Sequence, residues 1–290
     1  MTKRIPARAG LAAAGVISLF AVGPRPCVAH SPAQERIATL NERMKVEPAS
    51  AELYLARGEM HRNAAEWDAA LSDYAAARRL APGLDVLDLA EGRLHLDAGR
   101  PEVAEAAFDR FLAREPRHAP AYALRARARA ARGNHLGAAD DLSRAIATAT
   151  EDSLNYEWYL ERADALVKAG PEHRPEAILS LDQWRAAVGS IVVLDLAALD
   201  LELASGELAA ALARVDRVLQ TAPRNGQWAA RRGEILERMG RQQEAQAAYA
   251  AALEQILALP AGRRASASLH ALEASTRAAL ARVEHGGVIS

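Results

Sequence analysis

The chain has 290 residues, half of them apolar, but only 4% are aromatic and the formal net charge is −1. Alanine, the strongest helix former, supplies much of the apolar fraction, whereas runs of the β-branched residues that favour strands are scarce, so the composition argues against an all-β fold. A single cysteine excludes a disulfide framework and any C-x-x-C site, and the near-neutral charge gives no support for general nucleic-acid binding.

The start of the chain has the features of a secretory signal peptide. Basic residues precede an apolar stretch over residues 9–22, which is shorter than the roughly 20 residues of a transmembrane helix. Small residues at 27–29 suit a signal peptidase. We therefore predict that residues 1–29 are a signal peptide, and that the mature chain begins at His30, in the periplasm or outside the cell.

Two alternatives to cleavage stay open. Lipidation at Cys27 needs small apolar residues before it, where this chain has Arg25 and Pro26. The other alternative is that the N-terminal segment is retained as an anchor, which would leave the protein attached to the membrane, or that the start codon is wrongly chosen. The predicted peptide holds four of the 36 basic residues and no acidic one, so the cleaved chain would carry a net charge of −5 and no cysteine. Such a chain suits an oxidising compartment.

Residues 30–50 are predicted to form one capping helix ahead of the main body of the chain. Ile37, Leu40 and Met44 lie on one helical face, and the segment ends at Pro48. We interpret it as half a repeat that shields the first full repeat.

A period of 34 residues organises the chain that follows. Small residues recur at two places, a larger apolar residue at a third and proline at a fourth. In chain order these are Gly58, Gly92 and Ala126; Ala70, Ala104 and Ala138; Tyr74, Phe108 and Leu142; and Pro82 and Pro116. The small residues allow two helices to cross closely, the larger residue fills the space between helix pairs, and the proline ends the second helix. Each unit is therefore a helix, a tight turn and a helix.

Six such units account for the chain from residue 51 to residue 259. Three extra residues precede the fourth unit and two more lie in its turn. Residues 260–290 are predicted to form a C-terminal capping helix and tail. The units are 51–84, 85–118, 119–152, 156–191, 192–225 and 226–259. Although 290 residues are enough for two domains, we predict that this chain forms one elongated domain.

This pattern resembles the tetratricopeptide repeat family, and the first unit matches it at Tyr54, Gly58, Ala70, Tyr74 and Pro82. The resemblance implies an all-α, right-handed superhelical solenoid of antiparallel helix pairs. It also implies that the first helix of each pair lines a concave groove that binds a segment of a partner protein.

Carrying the family's groove positions over to this sequence gives twelve candidate partner-binding residues. They are Glu59, Arg62, Asn63, Arg93, Asp97, Arg127, Asp164, Lys168, Asp200, Glu234, Glu237 and Arg238. Their charges alternate in sign, so the groove is neither a basic nor an acidic funnel. One subclass of the family grips a C-terminal carboxylate with Lys and Asn. This chain has Leu55 and Glu59 at those places, so binding of that type is not expected.

No motif for catalysis, a cofactor or a metal is present, and we predict none of these. His61 and His95 share one repeat position and are interpreted as packing between helices. The adjacent acids Asp140 and Asp141 are interpreted as a solvated helical turn, because neighbouring helical positions point in different directions.

Three tryptophans do not fall clearly on core positions of the repeat. Trp67, Trp158 and Trp228 are each a candidate surface anchor for a partner, since tryptophan is enriched at binding hot spots. For Trp67 the alternative is that it covers a helix junction.

The sequence favours a non-catalytic, exported protein-interaction scaffold that binds a protein or peptide and has no membrane span in its mature form. An accessory factor for assembling a pilus or an outer-membrane complex is the alternative, and a regulatory subunit of an enzyme is a third reading. RNA binding conflicts with the acidic mature chain.

Overall fold

A computed structural model describes residues 32–286, and these residues form fifteen α-helices, two short 3₁₀ turns and no strand. The predicted all-α class is confirmed. The predicted signal peptide lies outside the described residues, as do residues 287–290. Within the described part, no helix combines the length and apolarity that a membrane crossing requires.

The helices follow one another with short turns between them. In chain order they are α1 (Pro32–Val46), α2 (Ala51–Asn63), α3 (Trp67–Leu80), α4 (Val86–Asp97), α5 (Pro101–Arg114), α6 (Ala119–Ala131), α7 (His135–Thr148), α8 (Tyr156–Ala169), α9 (Arg174–Ala187), α10 (Val192–Ala204), α11 (Leu208–Thr221), α12 (Gly226–Arg238), α13 (Gln242–Leu257), α14 (Ala261–Arg264) and α15 (Ala267–Gly286).

The helices from α2 to α13 pack as six consecutive pairs, and the even-numbered helix of each pair is called here the first helix. Helix α1 packs on α2, and α15 packs on α13 and α12. The repeat bounds and the capping roles of α1 and α15 stay predictions. The hydrophobic core is likewise serial: successive clusters lie around Tyr74, Phe108, Trp184 and Val215 rather than around one centre. Each pair thus buries its apolar face against its neighbours.

Tight turns join the two helices of a pair, and most of them contain a residue in the left-handed region. Gly99, Gly133, Gly206 and Gly240 have φ between 69° and 78°. In the first pair Ala65 takes this place with φ 58°, a conformation that glycine adopts more easily than alanine. The geometry of the turn therefore imposes the left-handed backbone conformation on Ala65, even though alanine does not favour it.

The two helices of a pair cross most closely at the recurring small residue of the first helix. A Cβ atom added to Gly58 would lie 2.5 Å from the Tyr74 ring, and one added to Gly92 would lie 2.4 Å from the Phe108 ring. The same contact recurs in the last pair, between Gly233 and Tyr249. Glycine is therefore required wherever an aromatic ring lies opposite.

Other pairs fill the same crossing with different residues of complementary size. In the third pair Ala126 shares the core cluster with Leu142. In the fifth pair the sizes are nearly equal, with Leu199 and Val215 in one cluster and both fully buried. The size of the residue on the first helix therefore varies inversely with the size of the residue opposite it on the second helix. Close packing requires this when the distance between the two helices is fixed.

Trp158 and Trp228 are core residues, so the prediction that they are surface anchors is wrong. Trp158 is 5% exposed and packs with Tyr159 and Trp184, and Trp228 is 1% exposed. A first helix packs against its own second helix and against the preceding pair, so it has two buried faces and not one. Trp67, the first residue of α3, is half-buried and packs against the first core cluster, and its role as a cover for the helix junction stays a prediction.

Buried ion pairs connect three successive helices. Arg125 on α6 is 7% exposed and donates to Asp141 on α7 at 2.6 and 2.8 Å, and to Asp109 on α5 at 2.6 Å. Two repeat periods earlier, Arg57 donates to Asp73 and Asn41 with the same set of distances. The same arrangement therefore recurs with the repeat.

The prediction that Asp140 and Asp141 form a solvated turn is wrong for Asp141. Its side chain is fully buried and also pairs with Arg129 at 2.9 Å, whereas Asp140 is exposed. Adjacent helical positions do point in different directions, and this difference places one acid inside and the other outside.

The second and fifth pairs build equivalent connections from other residues. Asp88 on α4 accepts hydrogen bonds from Arg78 on α3 and from Arg110 and Arg114 on α5. Burial alone would raise the pKa of Asp88, but these guanidinium groups outweigh it and lower the pKa below its usual range. Asp88 therefore stays charged inside the solenoid.

In the fifth pair the cation is on the second helix. Arg214 on α11 is 1% exposed and donates to Glu202 on α10 at 2.7 Å and to Asp182 on α9 at 2.7 Å. In the third pair the first helix carries the cation and the second helix the acid, whereas in the fifth pair the first helix carries the acid and the second helix the cation. In both cases three successive helices are connected.

We predict that the packing at the close crossing depends on size. Gly92→Leu should lower the free energy of unfolding by about 3 kcal/mol, because the new side chain overlaps the Phe108 ring. Adding Phe108→Val recreates the Leu199–Val215 combination and should restore part of the loss. Urea unfolding and a double-mutant cycle measure this coupling. Gly83→Leu, in open space, is the control, and equal losses for both single variants would contradict the prediction.

The buried pair gives a second prediction. Asp141→Asn should lower the free energy of unfolding by about 3 kcal/mol, because it removes the buried counter-charge of Arg125 and leaves only Asp109, whose side chain is half exposed. Asp140→Asn is the matched control and should change it by less than about 0.5 kcal/mol, since Asp140 is exposed and makes no ion pair with a described residue. Chemical denaturation of both variants decides the point, and a mild effect at Asp141 would show that Arg125 reaches solvent.

Candidate functional site

The first helices of consecutive pairs form one surface, and at three of the five steps a side chain reaches from one first helix to the next. Arg62 on α2 pairs with Asp97 on α4, and Arg127 on α6 pairs with Glu161 on α8 at 2.6 Å. Arg238 on α12 donates to the main-chain carbonyl oxygen of Leu203 on α10 at 3.2 Å. We call this surface the first-helix groove, and it contains the predicted partner-binding residues.

In the first pair, Glu59 is held by two neighbours. The Tyr74 hydroxyl donates to it at 2.6 Å, and Arg62 donates at 3.1 Å. Burial, together with the charge of Glu59, raises the pKa of Tyr74, so the hydroxyl keeps its proton as a donor. Asn63, at the end of the same helix, is exposed and makes no side-chain hydrogen bond with a described residue.

Between the third and fourth pairs the groove has a cavity of about 300 Å³. Its wall includes Arg127, Glu161 and Asp164, and its floor includes Ala126 and Leu142 of the close crossing. The ion pair between Arg127 and Glu161 leaves 44% and 29% of the two side chains exposed. Exposed pairs of this kind contribute about 1 kcal/mol or less, so a partner could replace them at little cost.

Asp164 continues this pattern on the fourth pair, where Lys168 lies one turn further along α8. The two side chains pair at 2.7 Å, and more than half of each is exposed. Their charges are therefore balanced locally.

At the C-terminal end the groove is closed by α15. Arg282 of α15 donates to Glu237 at 2.8 Å, and the Tyr249 hydroxyl donates to the same carboxylate at 2.9 Å. The hydrogen bond from Arg282 is the main reason why the pKa of Glu237 lies below its usual range. Glu234 pairs with Arg231 at 3.1 Å, beside a cavity of about 460 Å³ between α12 and α15.

Nine of the twelve predicted side chains make a hydrogen bond or an ion pair, and three make neither with any described residue. The three are Asn63, Arg93 and Asp200. That any of the twelve binds a partner stays a prediction.

Sequence reasoning missed Glu161, Arg231 and Arg282, which neutralise groove residues, and the tyrosine hydroxyls of Tyr74 and Tyr249. The repeat pattern held no clear signal for Glu161, because the three extra residues before the fourth unit make Asp164 the equivalent of Arg127. Arg282 carried no signal either, since α15 lies outside the repeat pattern. Its position depends on how α15 packs on the last pair.

The two histidines at one repeat position have different surroundings. The ring of His61 contacts Glu66 at 2.5 Å, whereas the Nδ1 atom of His95 is buried and has no hydrogen-bond partner within the described part of the chain. Burial lowers the pKa of His95 and thus favours its neutral form. No cluster of potential metal ligands occurs within residues 32–286.

Comparison with known families matches two models. The tetratricopeptide repeat model matches residues 89–153, and the tetratricopeptide repeat-like domain model matches residues 176–273. Together they cover more than half of the chain. The protein belongs to the tetratricopeptide repeat family, whose members are typically non-catalytic scaffolds for protein–protein interaction.

Solved structures share the fold at low sequence identity. The C-terminal part of a TPR repeat-containing protein from Cytophaga hutchinsonii is 14% identical, with a TM-score of 0.62, and the alignment covers 83% of this chain and 94% of that one. PilW, described as a type IV pilus biogenesis factor, is 19% identical with a TM-score of 0.51, over 66% of this chain and 86% of that one. A search of the curated proteins found no match.

Proposed function

We propose that the protein is a non-catalytic scaffold, exported to the cell envelope, that binds an extended segment of a partner protein in the first-helix groove. The observation that supports this most is the continuous surface of six first helices, in which exposed ion pairs alternate with half-buried apolar side chains. These apolar side chains are Leu55, Leu96, Leu160, Val167, Leu196 and Leu203. Such a surface offers a partner both apolar contact and exchangeable polar contacts.

The state of the groove acids supports a binding role over a catalytic one. A general acid at neutral pH needs a raised pKa, but the pKa of Glu237 is lowered by Arg282. Glu59 and Asp164 are likewise held by hydrogen-bond donors or cations. A carboxylate that is already held by a donor or a cation in this way suits recognition better than proton transfer.

An accessory role in assembling a pilus or an outer-membrane complex is the second candidate. PilW, a type IV pilus biogenesis factor, has the same fold. The predicted signal peptide supports an envelope location for either candidate. A regulatory subunit of an enzyme would use the same groove and would differ in the partner that it binds.

Export gives the third prediction. The protein recovered from the envelope fraction of a bacterial host should begin at His30, as determined by N-terminal sequencing and intact mass. An intact Met1 in the cytoplasm would contradict export, and an intact Met1 in the membrane would show a retained anchor. A fatty-acid probe incorporated at Cys27 would instead favour the lipidated alternative.

The groove gives the fourth prediction. A photo-crosslinking amino acid placed at Asn63, which is exposed in the groove and makes no side-chain bond, should capture a partner protein in living cells. The matched control is the same substitution at Gln220, exposed on the second helix α11. Capture from Gln220 alone, or equal capture from both positions, would contradict binding in the groove. Mass spectrometry of the captured protein separates a pilus or outer-membrane component from an enzyme.

A further inference from the structure

One groove position recurs at the centre of every first helix and is always charged. Its occupants are Glu59, Arg93, Arg127, Asp164, Asp200 and Glu234. Four of them are neutralised by a neighbour within the chain, as described above. Arg93 on the second pair and Asp200 on the fifth make no hydrogen bond or ion pair with any described residue. At this recurring position, therefore, one charge of each sign is uncompensated among the described residues.

Arg93 is uncompensated although an acid lies within reach along its own helix. Asp97 is four residues further on, a spacing that permits an ion pair, but it pairs with Arg62 of the preceding helix instead. Arg93 is also half-buried, and burial of an unpaired charge is unfavourable. An acidic group supplied from outside would remove this penalty.

The surroundings of Arg93 are apolar. Val86, Leu89 and Leu96 lie on the same face of α4, at the helical spacing that forms a single stripe with Arg93. Val86 is 37% exposed, Leu96 is half-buried and Leu89 is nearly buried. The stripe on α4 is therefore apolar apart from Arg93, and the neighbouring Asp97 is already neutralised by Arg62.

Asp200 lies on a similar apolar stripe and has the opposite charge, but it is exposed, whereas Arg93 is half-buried. Val193, Leu196 and Leu203 form the stripe on α10, and Val193 is 43% exposed. No basic residue lies three or four residues away from Asp200 on α10, so the helix itself offers no counter-ion. The stripe on α10 is therefore apolar with one anion.

The remaining first helices lack this combination. On α8 the charge at the centre is balanced by Lys168, on α6 by Glu161, and α2 and α12 have several charged residues on the groove face. The chain thus presents two apolar stripes, three helix pairs apart, each with a single free charge and of opposite sign.

We propose that the partner is an extended protein segment with an acidic side chain facing Arg93 and a basic side chain facing Asp200, each next to apolar side chains. This rests on the proposed function and specifies the ligand of the same groove. Packed helices lie roughly 10 Å apart, so the steps from α4 to α10 cover on the order of 30 Å, which about nine extended residues span. The two charges also set the direction of the segment, with its acidic end at the second pair.

Selection from a displayed library of random 16-residue peptides tests this on the full chain. Wild-type protein should enrich peptides with Asp or Glu about nine residues from Lys or Arg. R93Q should lose the preference for the acid and keep the preference for the base, and D200N should do the reverse. R79Q and D140N are matched controls, since both residues are exposed and unpaired on second helices, and they should select as the wild type does.

Affinity measurements on one enriched peptide give the second readout. By fluorescence anisotropy, R93Q should weaken binding at least tenfold, and replacing the acid of the peptide should weaken it by a similar factor. Combining the two changes should cost no more than either alone, because both remove the same contact. An unchanged circular dichroism spectrum for R93Q excludes a folding defect.

Three results would overturn the proposal. Enriched peptides without a charge preference, or with a preference that R93Q leaves unchanged, would remove the two-charge partner but leave groove binding in place. No enrichment on wild-type protein would contradict the proposed function itself. A mass in sedimentation analysis that doubles with concentration, and that R93Q and D200N each return to that of a monomer, would assign both charges to contact with a second copy of the chain.

Discussion

The close crossing of the two helices of each pair, filled by residues of matched size, is the constraint on which the rest of this structure depends. A Cβ atom added to Gly92 would lie 2.4 Å from the Phe108 ring, so no residue other than glycine fits there unless the ring moves. Because every pair crosses in the same place, the first helices lie side by side. The exposed faces of the first helices are therefore placed next to one another at regular intervals, and together they form the floor of the groove.

Buried charges add a second constraint that acts between pairs rather than within them. Arg125 and Arg214 each connect three successive helices, and each is satisfied only when all three are in place. Hydrophobic contact is tolerant of small rotations, whereas a guanidinium group bonded to two carboxylates is directional. These networks therefore fix the angle between neighbouring pairs, and with it the shape of the groove.

The groove differs from the core in how its charges are used. In the core, the cation of Arg125 is matched by the buried carboxylate of Asp141, and in the groove most charges are matched by exposed neighbours at low energetic cost. Arg93 and Asp200 are exceptions, and both lie on otherwise apolar stripes. The interior thus specifies the fold, and the proposed ligand preference rests on the two unmatched charges.

The sequence by itself determined the helical class, the repeat family and the positions of the close crossings, because these depend on local periodicity and on residue size. It assigned Asp141 and Trp228 to the surface, and only the tertiary structure showed that both are buried. Their burial depends on the helix that packs over them, which a 34-residue pattern does not record. For the same reason, only the tertiary structure decided which groove charges are paired: Asp97 neutralises Arg62 on another helix and leaves Arg93, its neighbour in sequence, free.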